Sequence, residues 1–97
     1  MKYEFRTDLW LWGGKGAWHF VTLPKDISKE IKENFGSGKR GFGSIRVSAN
    51  INDQTWKTSI FPDNKSEVYL LPVKAEVRKK ADISADDTLK VTLELIL

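Results

Sequence analysis

Apolar and polar residues alternate along several stretches of this chain, as expected of β-strands that bury one face. The alternation is cleanest over residues 45–51 and 89–97, where every second residue is aliphatic. Four other stretches combine weaker alternation with the aromatic and β-branched residues that strands favour. They cover residues 3–12, 17–23, 54–61 and 68–71. The pattern therefore predicts six strands.

Two pairs of neighbouring strands are separated by short turn sequences. The first pair flanks the glycine-rich residues 13–16, and the second pair flanks Asn52-Asp53. Glycine, asparagine and aspartate suit tight hairpin turns because they adopt positive φ angles more readily than other residues. Each pair is therefore predicted to form a β-hairpin.

Helical spacing occurs twice, each time at a proline. Apolar residues recur at i, i+4 and i+8 behind Pro24, before Gly36 ends the pattern, and again from Pro72 onwards. They are Ile27, Ile31 and Phe35 in the first segment and Val73, Val77 and Ala81 in the second. Since proline fits the first turn of a helix, both prolines are expected to open a short amphipathic helix.

The two halves of the chain repeat one another. A strand ending in a leucine and a proline at residues 21–24 is matched 48 positions later at residues 69–72, and each is followed by a helix and a strand. Neither unit can bury its apolar faces alone, so we expect them to associate. The sequence predicts one mainly β domain over residues 1–97, a pseudo-twofold barrel of about six strands with two short helices over its ends. An α+β sandwich is the alternative.

The residues that carry this pattern resemble a known prokaryotic family, the domain of unknown function nineteen-oh-five. The resemblance lies in Gly16-Ala17-Trp18-His19-Phe20-Val21-Thr22-Leu23-Pro24, in Ile45-Arg46-Val47 leading to Ile51-Asn52, and in Leu71-Pro72-Val73 with Val77-Arg78. It implies a double-split β-barrel, a fold shared with DNA-binding proteins of the AbrB and MazE type. The chain departs from the family at Asn52-Asp53 and Asp86-Asp87, where the family often has glycine. The resemblance therefore leaves the geometry of these two turns open, but not the fold.

Composition narrows the range of functions. With 40% hydrophobic and 30% charged residues among 97, the sequence is typical of a globular domain. It contains no cysteine, which excludes disulfides, thiolate zinc sites and cysteine nucleophiles. We find no apolar stretch suited to a signal peptide or a membrane span, so we expect a cytoplasmic protein with no membrane partner.

Positive charge is concentrated in the first half of the chain. Residues 1–48 hold nine Lys and Arg against five Asp and Glu, whereas residues 49–97 hold seven against eight. Lys39 and Arg40 lie in a glycine-rich connector that matches G-x-G-x-x-G literally, but it follows a helix and precedes a strand, the reverse of a dinucleotide-binding site. The connector is interpreted as a flexible linker or, alternatively, as an anion-binding loop with Lys39 and Arg40 beside it.

Two further groups of residues are candidates for binding. Lys74 and Arg78 are spaced i, i+4, and Arg46 lies on the polar face of a strand, so the three cations could meet at one mouth of the barrel and bind a carboxylate or phosphate. The alternative is a solvated helix face. Trp12 and Trp18 flank the glycine turn and are candidates for stacking on a ligand, or else for core filling.

No catalytic set is evident. His19 is the only histidine and is interpreted as a packed or rim residue, while Asp82, Asp86 and Asp87 are interpreted as a solvated turn. No cofactor or metal is expected. The leading hypothesis is a non-enzymatic binding module for an anionic small molecule or acidic peptide, acting as a monomer or weak homodimer. Nucleic-acid binding is the alternative, and an enzyme of unknown reaction the weakest one.

Overall fold

The computed structural model describes residues 2–14, 16–36 and 43–96. Lys39, Arg40 and Leu97 lie outside these ranges. The described residues form six strands and two α-helices, of which the first continues into a π-helical turn, Lys32–Gly36. The elements are β1 (Lys2–Leu11), β2 (His19–Thr22), α1 (Lys25–Ile31), β3 (Ile45–Ile51), β4 (Gln54–Asp63), β5 (Val68–Pro72), α2 (Ala75–Ala81) and β6 (Thr88–Leu95). Neither helix in these ranges is long and apolar enough to cross a bilayer.

The six strands close into a barrel in the order β1-β2-β5-β4-β3-β6, and every neighbouring pair is antiparallel. The two ten-residue strands, β1 and β4, make closure possible because each changes partner along its length. The first part of β1 pairs with β6 and its last part with β2, while β4 pairs first with β3 and then with β5. Each strand therefore has a hydrogen-bonded neighbour on both sides of it in the strand order. The prediction of a mainly β barrel with two short helices is confirmed.

The barrel interior is filled by the apolar side chains that alternate along the strands. Along β3, every second residue from Ile45 to Ile51 is buried, and β6 shows the same pattern. The helices add further apolar side chains at the two ends, Ile31 from α1 and Val77 from α2. The core is therefore a single cluster that joins the strands and both helices.

The topology has an approximate two-fold symmetry. Exchanging β1, β2 and β3 with β4, β5 and β6 leaves the strand order unchanged. Backbone hydrogen bonds follow the same exchange: Leu23 donates to Tyr69 at 3.0 Å, and Val73 donates to His19 at 2.9 Å. The two donors, Leu23 and Val73, are 50 positions apart in sequence, and so are the two acceptors, His19 and Tyr69. The predicted internal repeat is therefore present in the register of the strands.

The predicted offset of 48 residues, which aligned Pro24 with Pro72, is wrong. Pro72 is the last residue of β5 and lies opposite Phe20, and α2 begins only at Ala75. Pro24 does occupy the N-cap of α1, as expected, but its structural counterpart is Lys74, the N-cap of α2. The proline of the second half therefore ends a strand and does not open a helix.

The turns without glycine keep the geometry that glycine would give. Asn52 and Asp53 have φ angles of 48° and 66°, as a two-residue hairpin turn requires, and Asp86 has a φ of 76°. Asn52 also has a structural role that glycine could not take over. Its Nδ2 donates to the carbonyl oxygen of Ala81 at 3.0 Å, which ties the β3–β4 turn to the last residue of α2.

The two turn residues can be compared by the same substitution. Asn52→Gly and Asp53→Gly both relieve a positive φ, but only Asn52→Gly also removes the hydrogen bond to Ala81. We expect Asn52→Gly to be less stable than Asp53→Gly by about 1 kcal/mol, the net value of one hydrogen bond. Urea denaturation of both variants measures the difference, and equal free energies of unfolding would contradict the role of Asn52.

Tyr3 links β1 to α1 at the end of the barrel that α1 covers. Burial, followed by a hydrogen bond to Glu30 and the negative charge of that residue, raises the pKa of Tyr3 to about 12 from the usual 10.0. The folded state therefore holds the phenol proton more tightly than the unfolded state does. Its contribution to stability is complete below pH 10 and is lost as the pH rises through about 12.

Replacing Glu30 tests the origin of this raised pKa. Glu30→Gln removes the negative charge and leaves the burial of Tyr3, so we expect the pKa of Tyr3 to fall but to stay above 10.0. Ultraviolet absorbance of tyrosinate follows the titration. Because burial also raises the pKa of Tyr69, the measurement uses a Tyr69→Phe background. An unchanged midpoint would exclude a contribution from Glu30.

Candidate functional site

A cleft of about 390 Å³ opens at the end of the barrel that α2 covers. Its walls come from the start of β2, from β4, and from the β5–α2 connection with the first turn of the helix. We call it the cationic cleft and define it by the side chains with recognisable chemistry on its lining: Trp18, His19, Trp56, Lys57, Lys74 and Arg78.

Strand and helix periodicity place these side chains. Trp56 has the same parity along β4 as the buried Ile60, so it faces inwards, where it packs against the core and forms the inner wall of the cleft. Lys57 has the opposite parity and is exposed at the mouth. Arg78 follows the buried Val77 on α2 and is half-buried, one helical turn after Lys74. Lys74 and Arg78 thus both line the cleft.

His19 and Arg78 are in direct contact within the cleft. The Nη1 of Arg78 lies 2.9 Å from the Nδ1 of His19, and the same Nδ1 lies 2.9 Å from the carbonyl oxygen of Ala17. Guanidinium can only donate and a carbonyl can only accept, so the tautomer of His19 decides which of the two bonds forms. When Nδ1 carries no proton, His19 accepts from Arg78, and an anion in the cleft would compete for this interaction as a stronger acceptor.

The charges in the cleft are of one sign. Lys57, Lys74 and Arg78 line it, and the described lining includes no aspartate or glutamate. The ion pair recorded in the described ranges, Lys90 with Glu4 at 3.3 Å, lies on exposed strands elsewhere. The three cations thus face the cleft without a carboxylate partner among the described residues, which makes its potential positive.

The two-fold symmetry supplies an internal comparison for this cleft. The 50-residue offset pairs Arg78 with Ser28, His19 with Tyr69 and Trp18 with Val68. Ser28 is buried, its Oγ accepts from the backbone nitrogen of Tyr69 at 3.1 Å, and Val68 is only 6% exposed. The depression that touches these three residues measures about 20 Å³. At these three positions the first half is therefore packed more closely than the cleft. Beside α1 there is a separate depression of about 710 Å³, and its lining has mixed charge: Lys25, Lys29, Lys32, Glu33 and Glu67.

A second concavity adjoins the cleft. This aromatic groove of about 510 Å³ is defined by Trp10, Trp12, Trp18, Phe20, Phe61 and Asp63. Trp18 lies parallel to Phe20, with ring centroids 6.1 Å apart and an interplanar angle of 10°. Trp18 and Pro72 line both concavities. Since Phe20 lines the groove but not the cleft, the indole of Trp18 forms the boundary between them.

Glycines hold the two exposed tryptophans in place. Trp12 and Trp18 are 46% and 54% exposed, yet the backbone nitrogen of Trp12 donates to the carbonyl oxygen of Trp18 at 2.8 Å. The ring of Trp12 covers Gly14 so closely that a Cβ there would overlap it, and the indole nitrogen of Trp18 would lie 3.0 Å from a Cβ at Gly16. Gly16 also has a φ of 92°, which other residues rarely adopt. The glycine turn thus positions both rings.

The predicted binding residues are distributed over more than one surface. Lys74, Arg78 and Trp18 line the cationic cleft, whereas Trp12 lies in the aromatic groove. Arg46 lines neither: it points outwards from β3, and its Nη1 donates to the Oγ of Ser59 at 3.4 Å. The expected meeting of Arg46 with Lys74 and Arg78 is therefore not observed. Lys39 and Arg40 fall outside the described residues.

Three residues of the cleft were not predicted to bind. His19 is interpreted from the sequence as a packed or rim residue, and neither Trp56 nor Lys57 is among the predicted binding residues. The inward parity of Trp56 was visible in the sequence, but its position under α2 depends on the tertiary arrangement. Within the described ranges, no group of three or more His, Asp or Glu side chains is arranged to hold a metal ion.

Comparison with known proteins identifies a family and nothing more specific. No curated protein matches the sequence. A family model described as Domain of unknown function (DUF1905) matches residues 5–93, a range that includes both helices and all or most of every strand. The kinship with AbrB and MazE type proteins stays a prediction. Because the match covers nearly the whole barrel, the chain belongs to the DUF1905 family.

Proposed function

We propose that this protein is a binding module whose cationic cleft accepts an anionic small molecule. The observation that carries the proposal is the meeting of Lys57, Lys74 and Arg78 on a cleft of about 390 Å³ whose described lining has no carboxylate. Pockets for small molecules commonly measure about 300 to 1,000 Å³. The cleft thus has the size and the charge for such a ligand.

The side chains suit a carboxylate or a phosphate. Arg78 offers a planar fork of donors that matches two oxygens of one anion, and Lys74 adds a point charge one helical turn away. Trp18 and Trp56 flank these cations with apolar surface. Apolar walls lower the local dielectric constant and strengthen the attraction between the cations and a bound anion.

The comparison between the two halves supports a role in binding. Where the first half has the buried Ser28, the second half has a half-buried arginine. Partial burial of a cation without a carboxylate is unfavourable, because the charge loses hydration that no opposite charge replaces. The equivalent position of the first half, Ser28, avoids this cost. A bound anion would supply the missing opposite charge.

An acidic peptide could use the same cations, and its carboxylates would occupy the same positions. Nucleic-acid binding rests on the basic first half of the chain and on Lys39 and Arg40, which lie outside the described residues. Nucleic-acid binding stays a prediction, and the experiment below distinguishes it from anion binding in the cationic cleft.

Substitution of Arg78 tests the proposal. Arg78→Met keeps most of the aliphatic stem and removes the charge, so we expect at least about tenfold weaker binding of any anion that occupies the cleft. Lys79→Ala is the matched control, since it removes a charge from the next position of α2, which does not line the cleft. Isothermal titration calorimetry with phosphate, pyrophosphate, citrate and an acidic peptide measures the affinities.

The result can go against the proposal in two ways. Absence of binding by all four anions would overturn it, as would equal affinities of Arg78→Met and the unmodified protein. Thermal denaturation without ligand verifies that Arg78→Met is folded. Duplex DNA in the same assay tests the alternative, which predicts an affinity that decreases steeply with salt and is unaffected by Arg78→Met.

A further inference from the structure

The indole of Trp18 lies where the cationic cleft meets the aromatic groove. It is 54% exposed, and it is held by the stacked ring of Phe20 and by its contact with Gly16. Along the chain it directly precedes His19, whose ring contacts Arg78 at 2.9 Å. A stacking surface and an anion-binding group are therefore side by side, and both face the same cleft.

Exposed aromatic rings of this kind bind other flat rings. Any nucleobase can stack on an aromatic side chain, because every base has a π-face. The parallel pair of Trp18 and Phe20 already has the geometry that a third ring would extend. Within the cleft, Trp56 adds a second aromatic wall.

Resting on the proposed function, we infer that the ligand is a nucleotide, with its phosphate on Arg78 and Lys74 and its base against Trp18. A nucleotide combines a phosphate and a flat aromatic base in one small molecule, which are the two features that the lining of the cleft recognises. Inorganic anions and aliphatic carboxylates would use the cations only.

The distribution of charge favours a single nucleotide over a nucleic-acid chain. If a strand continued from the cleft past Trp18 into the aromatic groove, its next phosphate would find no cation on the described lining of that groove. The lining does include Asp63, whose carboxylate oxygens accept from the backbone nitrogen of Lys65 at 3.3 Å and the hydroxyl of Ser66 at 2.6 Å. A second phosphate would meet a negative charge there. The ligand should therefore carry its charge at one end.

Two probes that differ only in the base test this inference. Adenosine 5′-monophosphate and ribose 5-phosphate share the phosphate monoester and the sugar, so the ratio of their affinities reports the contribution of the base. We expect the nucleotide to bind at least about fivefold more tightly to the unmodified protein, as base stacking implies. Calorimetry measures both affinities. Stacking on Trp18 should quench tryptophan fluorescence when the nucleotide binds, whereas ribose 5-phosphate should cause no quenching.

Variants of the two exposed tryptophans locate the base. Trp18→Leu should reduce the affinity for the nucleotide to that for ribose 5-phosphate and leave the latter unchanged, whereas Trp18→Tyr should retain part of the difference. Trp12→Leu is the matched control, because Trp12 is similarly exposed but does not line the cleft. Its affinity for the nucleotide should match that of the unmodified protein.

The outcomes separate this inference from the proposed function. Equal affinities for the two probes, both lost in Arg78→Met, would overturn the inference and leave the anion-binding cleft intact. Binding of neither probe, together with none of the inorganic anions, would overturn both. A single-stranded oligodeoxyadenylate that binds more tightly than the mononucleotide would show that the groove accepts a continuing chain, and this would overturn the assignment to a free nucleotide.

Discussion

The antiparallel pairing of β2 with β5 is the contact on which both the barrel and its candidate site depend. It joins the two halves of the chain at their approximate two-fold axis, where Val21 lies opposite Leu71 and both are fully buried. The strands are short, so few hydrogen bonds hold them, and the apolar side chains beneath them must supply the rest of the stability. The same pairing brings the start of β2 beside the β5–α2 connection. His19 and Arg78 are 59 positions apart in sequence and meet there.

Two-fold symmetry of the backbone makes the difference between the halves informative. The backbone nitrogens of Leu23 and Val73 make equivalent hydrogen bonds, as do those of Ser28 and Arg78, so the side chains at these positions can be compared directly. At Ser28 the first half is closed by a small hydroxyl that satisfies a backbone donor. At Arg78 the second half has a long cation that stands in a cleft and contacts only a histidine among the described polar groups. Equivalent positions of an approximately symmetric fold thus carry different chemistry in the described part of the chain.

The sequence predicted much of the fold, since strand alternation and turn residues act locally. The strands and the Asn52-Asp53 turn follow from such patterns. The repeat offset did not follow, because 48 and 50 are both even and alternation of period two fits either one. The helices could have decided between them: with a shift of 50, Leu23, Ile27 and Ile31 align with Val73, Val77 and Ala81. The prolines, 48 positions apart, favoured the wrong alignment.

The candidate site was less predictable than the fold because it depends on contacts between distant segments. Helical spacing places Lys74 and Arg78 one turn apart, and both line the cleft. Of the two tryptophans that flank the glycine turn, Trp18 lines the cleft and Trp12 does not. Spacing could not show that Arg46 points away from the cleft, since a strand has two faces and only the closed barrel decides which one approaches α2.

The exposed tryptophans give the last link between the fold and its chemistry. An exposed aromatic ring contributes little hydrophobic stabilisation to the fold, because much of its surface stays in contact with water. If the ring is also mobile, it loses conformational entropy when a ligand fixes it. Gly14 and Gly16 remove the side chains that would otherwise displace the rings of Trp12 and Trp18. The close approach of each ring to a glycine restricts its position before a ligand binds, which lowers the conformational entropy lost on binding. Glycine costs conformational entropy on folding, and in this turn it leaves the ring of Trp18 at the wall of the cationic cleft and the ring of Trp12 in the adjoining groove.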